Sequence, residues 1–350
     1  MSWDIAAILA VDGMAGAAIY LLAGIGLVLV FSVTRVIYVP FGDVAVFSAL
    51  TLAFIEAGRV PPTIGLVATL AALATLMEVV RFARLREFAR IPKAVFYWGI
   101  LPLLPCFPAW VLAGSDMPAL AAIALSLALV VPIAPLTARL VYHPIADASV
   151  LVLLIASLVL HFLMSGLGLL FFGPEGFRTR PFVQGALQLA PGFSVSFQIL
   201  MMVGAAIVLA GLFFLAFERT MIGKALRATA VNRVGAQLVG IRPAATATLA
   251  YIAVSVLAGI VGILIAPSTT MYYDSGLIIG LKAFVAAIIG GLNSYPLTAL
   301  GAVAVGLLES FASFWHGALK DVIVFSLLIP ALLVRSHFSS HSDEEPEEEV

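Results

Sequence analysis

The sequence predicts an all-α protein, a polytopic transmembrane helical bundle, and three observations carry that prediction. Hydrophobic residues fill 63% of the 350 positions and charged residues only 11%, more apolar surface than a water-soluble domain can hide. The mean hydropathy is +1.15. The apolar residues fall in long runs broken by Pro, Gly and clusters of charge, near the ~20 residues a helix needs to cross ~30 Å of hydrocarbon. Within a bilayer the backbone must satisfy its own hydrogen bonds, which makes such runs helices.

Taken in order, the runs place spans at 14–34, 41–57, 62–80, 94–114, 118–140, 148–172, 197–217, 246–266, 277–291, 297–315 and 320–335. The total is about 9–11 spans, because the runs at 41–57, 277–291 and 320–335 are short enough to be half-membrane or re-entrant helices. No basic segment precedes the first run, and Asp4 and Asp12 do, so it is expected to be a retained span rather than a cleaved signal. Residues 1–335 are expected to form one transmembrane domain, and 336–350 an acidic disordered tail, its like charges at 343–349 repelling one another. The single cysteine, Cys106, excludes a disulfide within the sequence.

Basic residues orient the bundle. Arg35, the 81–93 loop (Arg81, Arg84, Arg86, Arg90, Lys93), Arg139, the 218–245 loop and Arg335 all fall on one side of the predicted spans. That side is expected to be cytoplasmic, with the carboxyl terminus there and the amino terminus outside. The 173–196 loop, rich in Pro and Gly, falls outside and reads as an ordered surface loop.

Catalytic signatures fail on inspection. Gly223-Lys224 hints at a phosphate loop, but the positions that need Gly and Ser or Thr hold Glu218 and Ala225. The five histidines lack metal-ligand spacing, and no nucleophile motif occurs. The chain is therefore expected to be no enzyme, with no metal and no cofactor of its own. His161 reads as a satisfied helix-packing residue.

Two kinds of feature remain. Lys282 and Glu309 are charges inside predicted spans, each costing several kcal/mol unless paired or hydrated, at least about 2.5 on insertion scales. They read as a buried pair or as pathway-lining groups, with snorkelling the alternative for Lys282. Glu56 and Glu78 read as interfacial, and Lys320-Asp321 as the opening of the last span. Pro, Gly and polar groups also break the apolar pattern at Tyr38-Val39-Pro40-Phe41-Gly42-Asp43 and at Gly290-Gly291-Leu292-Asn293-Ser294-Tyr295-Pro296. Broken helices of this kind are where transporters bind solutes, which makes Tyr38, Phe41, Gly42, Asp43, Asn293, Ser294 and Tyr295 candidate pathway residues.

Several segments then carry a resemblance. Leu22-Ala23-Gly24-Ile25-Gly26-Leu27 followed by Gly42-Asp43, the run Arg139-Leu140-Val141-Tyr142-His143-Pro144, Gly223-Lys224-Ala225-Leu226-Arg227-Ala228, Gly280-Leu281-Lys282-Ala283-Phe284 and Lys320-Asp321-Val322 resemble, in this order, the permease subunits of branched-chain amino acid ABC importers of the LivH type. The resemblance covers the chain except roughly 58–117, which reads as an inserted helical hairpin. It implies a pathway for a branched-chain or hydrophobic amino acid, or a related small organic solute. It further implies a second permease subunit (LivM-like or homologous), two cytoplasmic ABC ATPases that use ATP and Mg, and a periplasmic substrate-binding protein. No nucleic acid is implied. The 218–245 loop becomes a cytoplasmic coupling loop with a short coupling helix, in which Arg219, Lys224 and Arg227 face the ATPase while Gly223 and Gly240 set turns. Tyr38 to Phe41 depart from the family's Asn-Phe-Ala-His, so the solute need not be aliphatic. The alternative from another class is a secondary transporter driven by an ion gradient, with Glu309 as its coupling carboxylate.

Overall fold

In chain order the helices are α1 (Trp3–Thr34), α2 (Phe41–Glu56), α3 (Thr63–Arg84), α4 (Phe88–Val111), α5 (Ala119–Ile145), α6 (Val150–Phe172), α7 (Phe197–Arg219), α8 (Met221–Val231), α9 (Arg233–Leu238), α10 (Pro243–Ile265), α11 (Gly276–Ile289), α12 (Tyr295–His316), α13 (Lys320–Ser326) and α14 (Leu328–Ser339). The computed structural model describes residues 3–190 and 193–339. The acidic run at 343–349 lies outside the described residues, as do Pro191 and Gly192.

Helix α1 is the axis of the bundle and packs against α7, α10, α11 and α12. It is apolar on every side, the pattern of a helix buried all round, and Leu22, Ala23, Leu29 and Val30 are fully buried. It begins at Trp3 rather than near 14, so Asp4 and Asp12 are helical residues. It stops where Arg35 takes a φ of 61°, a left-handed conformation that an L-residue cannot propagate.

Among the described residues, eight helical stretches are long and apolar enough to cross a membrane, so the protein is a multi-pass membrane protein. Helices α2 and α11, of 16 and 14 residues, rise only about 24 and 21 Å, shorter than the hydrocarbon core. Their close packing explains how such short helices hold. A Cβ at Gly42 on α2 would lie 1.8 Å from the Gly276 carbonyl oxygen on α11, and one at Gly262 on α10 would lie 1.8 Å from the Ala45 carbonyl oxygen on α2. Glycine lets α2 sit in backbone contact with both neighbours. Hydroxyls add to this: Ser48 Oγ donates to the Gly259 carbonyl (2.9 Å) and Ser126 Oγ to the Ser48 carbonyl (3.0 Å).

Helices α4 and α5 are interrupted rather than regular. Each contains several prolines and a π-helical turn, Val95–Ile100 in α4 and Ala138–Tyr142 in α5. Proline removes a donor and clashes with the preceding turn, and neighbouring helices re-satisfy the freed groups. At the Pro132 break the Val130 carbonyl accepts from Ser255 Oγ on α10, at 3.1 Å. In the 58–117 region α3 and α4 form a helical hairpin, and α3 contributes Leu66, Val67, Leu70 and Ala74 to the core.

The spans expected at 297–315 and 320–335 are α12 and the pair α13–α14. The chain turns back between them through Gly317–Leu319. Lys282 reaches both Glu309 and Asp321, residues that a straight helix would hold about 18 Å apart. The described residues of the 173–196 loop include two antiparallel strands, β1 (Ala186–Ala190) and β2 (Phe193–Ser196). A backbone bridge between Phe177 and Met271 ties this loop to the 266–275 connection.

Candidate functional site

Three charged side chains, Lys282, Glu309 and Asp321, meet at one place in the bundle. Lys282 on α11 is 3% exposed, and its Nζ donates to Glu309 Oε1 on α12 at 2.6 Å. Asp321 on α13 brings Oδ1 to 2.8 Å from the same nitrogen, in a charge contact rather than an aligned hydrogen bond. Tyr20 on α1 donates its hydroxyl to Glu309 Oε2 at 2.5 Å. Four helices thus meet around the Lys282–Glu309 pair. Pairing replaces the hydration that each ion loses, which otherwise costs several kcal/mol per ion. Of the two readings open for Lys282, pairing is observed and snorkelling is not.

This cluster forms part of the wall of a cavity of about 810 Å³ at the end of the bundle opposite the basic loops. Asp12, Arg178 and Lys320 also line it, so both signs of charge face the same space. Ser310 Oγ donates to Asp12 Oδ2 at 3.3 Å. Gln198, 7% exposed, lines the cavity too, and its Nε2 has no hydrogen-bond partner. Such a lining suits a small solute that carries both a positive and a negative group. Tyr20, Asp12 and Gln198 were missed by sequence reading, since none is a charge in mid-span and their convergence is purely tertiary.

The 38–43 stretch lies elsewhere. Tyr38, Phe41 and Asp43 are fully buried, and Gly42 is the contact point with α11. Tyr38 Oη shares a 3.3 Å hydrogen bond with Thr137 Oγ1, and its ring packs edge-on against Tyr142 and Tyr251. Asp43 meets His161 Nδ1 at 2.8 Å through Oδ2, so His161 is a satisfied packing residue. Asn293, Ser294 and Tyr295 join the far end of α11 to α12, where the Tyr295 ring packs edge-on against Phe217, their centroids 5.5 Å apart. Gly276 and Gly290 stand at opposite ends of α11, so the two stretches are separated by about 20 Å and form no single pocket.

Glu78 is not interfacial. It is 1% exposed and holds Arg139 through Oε1, at 2.8 Å from Nε and 2.6 Å from Nη2. The residues are 61 apart in sequence, and nothing local announces the pair. Glu56 accepts the Arg180 backbone N–H at 3.1 Å.

The 218–245 loop folds as two short helices, α8 and α9. Thr220 caps α8, its Oγ1 accepting from Gly223 N at 3.1 Å, and Asn232 caps α9, its Oδ1 accepting from Gly235 N at 2.8 Å. Gly240, at φ 87°, makes a turn as expected. Gly223 instead serves close packing, because a Cβ there would lie 2.0 Å from the Phe217 carbonyl oxygen. Leu226 and Thr229 complete the buried face of α8, and Thr246 Oγ1 donates to Thr229 Oγ1 at 3.1 Å. Arg219 and Lys224 are exposed. Arg227 folds back, donating to Glu218 Oε1 (2.8 Å) and the Glu218 carbonyl (3.0 Å), with its guanidinium over the Phe217 ring.

Beside these cations the helix pair exposes apolar side chains that sequence reading passed over: Met221 (80%), Val231 (88%), Val234 (66%), Leu238 (84%) and Val239 (75%). They lie within a few residues of the exposed cations Arg219, Lys224 and Arg233, and exposed apolar residues rimmed by charge mark a surface that meets a protein partner or the membrane. Apolar residues left over once Gly223, Leu226 and Thr229 had filled the inner face were the signal available in sequence. Among the described residues, no group of His, Cys, Asp or Glu is arranged to hold a metal ion.

The protein is thus a multi-pass helical bundle with a two-signed cavity at one end and a capped, patch-bearing helix pair at the other. Residues 9–332 match the family described as branched-chain amino acid transport system / permease component, and the chain belongs to that family. It is 34% identical over 140 residues to the high-affinity branched-chain amino acid transport system permease protein BraD of Pseudomonas aeruginosa, covering 39% of this chain and 45% of that protein. It is 26% identical over 204 residues to the corresponding LivH protein of Salmonella typhimurium and 27% identical over 206 residues to that of Escherichia coli K12, each match covering 56% of this chain and 66% of the relative. The matches thus span from under half to about two thirds of these relatives' length. No solved structure matches the chain.

Proposed function

We propose that the chain is the transmembrane permease subunit of an ABC importer. It forms the translocation pathway for a branched-chain or other hydrophobic amino acid, or a related small organic solute. The observation that carries this reading is the exposed patch of α8 and α9, which lies among cations at the end where nearly all the basic loops gather. In this reading that end is cytoplasmic by the positive-inside rule, the amino terminus is periplasmic and the carboxyl terminus cytoplasmic, in a bacterial inner membrane. The patch seats a cytoplasmic ATPase, with Arg219 and Lys224 at its rim and Gly223, Arg227 and Gly240 shaping it.

ATP and Mg then act in the partner ATPases, and this chain is not an enzyme and binds no cofactor. Two permease subunits, of this chain or of a LivM-like partner, pair with two ATPases, and a periplasmic binding protein delivers solute. The cavity at Lys282 and Glu309 is the outer vestibule, and its two-signed lining fits a zwitterionic amino acid. Tyr38, Phe41, Gly42 and Asp43 form the helix joint that must open to continue the pathway, and Asn293, Ser294 and Tyr295 border its exit beside the coupling helices. An ion-gradient mechanism would need an available carboxylate, whereas Glu309 is engaged by Lys282 and Tyr20.

Co-expression with the cognate ATPase tests the docking surface. Wild-type permease should retain the ATPase through purification, and Leu238→Asp with Val234→Asp should lose it while remaining monodisperse. Full retention by that double variant would remove the docking role.

A further inference from the structure

We propose that the basic end carries a binding site for one anionic phospholipid, assembled from an apolar groove and a polar pocket that meet at Arg81. The groove, about 1030 Å³, runs between α3, α5 and α6 and is lined by Leu73, Leu76, Val80, Leu140, Leu163 and Leu167. It ends against Arg81 and Arg84. The pocket, about 640 Å³, lies between α3, α5 and the start of α10 and contains Arg81, Arg139, His143 and Arg233. Met77 and Arg81 line both spaces. An acyl chain fits the first space and a phosphate-bearing headgroup the second, and only a lipid fills both.

The charge balance selects an anionic headgroup. Glu78 gives its carboxylate to Arg139 at 2.6 Å, leaving Arg81 at 3.6 Å from the same oxygen. Arg84 has no carboxylate within 4.0 Å among the described residues. Arg233 has only Asp147, 97% exposed, at 3.5 Å. Cationic pockets between membrane helices at the inner leaflet recognise anionic headgroups in this way. Because Arg233 opens α9, a bound phosphate would tie the coupling helices to the α3–α5 wall.

The test is native mass spectrometry of the purified, delipidated full chain titrated with dioleoyl phosphatidylglycerol or dioleoyl phosphatidylcholine. The glycerol lipid should bind about 10- to 30-fold more tightly, the effect of roughly two arginines near an anionic group. Arg81→Gln with Arg84→Gln should abolish that preference. Leu163→Trp, which fills the groove, should weaken both lipids alike. Arg59→Gln, exposed at the opposite end, should change nothing. Equal binding of the two lipids by wild type, an undiminished preference in the arginine variant, or full competition by soluble glycerol phosphate would each overturn the proposal.

Discussion

Lys282 on α11 and Glu309 on α12 form a buried ion pair with Nζ and Oε1 2.6 Å apart, joining two helices that also share Asp321 and Tyr20 as partners. Lys282→Ala leaves Glu309 and Asp321 without their cation, whereas Glu309→Ala leaves Asp321 on the ammonium. Lys282→Ala should therefore destabilise the protein by about 3–5 kcal/mol, and Glu309→Ala by less. The double change Lys282→Met with Glu309→Leu should cost much less than their sum, read by equilibrium unfolding in detergent. Additive losses would show that the charges do not couple.

Arg139 spans α5 to α3 through two nitrogens on one Glu78 oxygen. Arg139→Lys keeps the charge but loses the fork geometry. It should therefore lower thermal stability measurably, and Arg139→Gln should lower it further, by up to about 3–5 kcal/mol, because the buried Glu78 then keeps only the exposed Arg81 at 3.6 Å.

Backbone contact around α2 makes the smallest substitution costly. Gly42→Ala and Gly262→Ala place a methyl group 1.8 Å from a carbonyl oxygen, so each should destabilise by about 1–3 kcal/mol or more through overpacking. Gly166, with nothing within 4 Å of an added Cβ, is the control. Gly166→Ala should be neutral or stabilising by up to about 1 kcal/mol. Comparison of melting temperatures decides this.

The two cations of α8 should behave differently. Lys224 is exposed, so Lys224→Glu should weaken ATPase co-purification without changing permease stability. Arg227 is bound to Glu218 and Phe217. Arg227→Glu should therefore loosen α8 itself, seen as faster proteolysis of the 218–245 loop.

Much of this fold is written in local pattern. The apolar runs mark the long helices, and the breaks near Pro40 and Ser294 mark where the short α2 and α12 begin. Charge distribution marks the basic end. What sequence hides is pairing across helices. Glu78 looks interfacial until Arg139 arrives from another helix, and Asp321 looks like a helix cap until Lys282 reaches it. The prolines of α4 and α5 announce a disturbance, but the π turns and the Ser255 hydroxyl that accommodate it depend on neighbours. Tyr38 and Phe41 look like pathway aromatics, yet in this structure Tyr38 is packed against Thr137, Tyr142 and Tyr251, and Phe41 is fully buried. The exposed apolar patch depends on which face of α8 turns inward, and the Gly223 contact with Phe217 sets that.

Solute uptake into proteoliposomes containing this permease with its partner permease and ATPases, and with the binding protein supplied on the solute side, tests the account most directly. Uptake should require hydrolysable ATP on the ATPase side, persist when proton and sodium gradients are collapsed, and be lost in the Leu238→Asp, Val234→Asp variant. Uptake that proceeds without ATP and follows an ion gradient would contradict it.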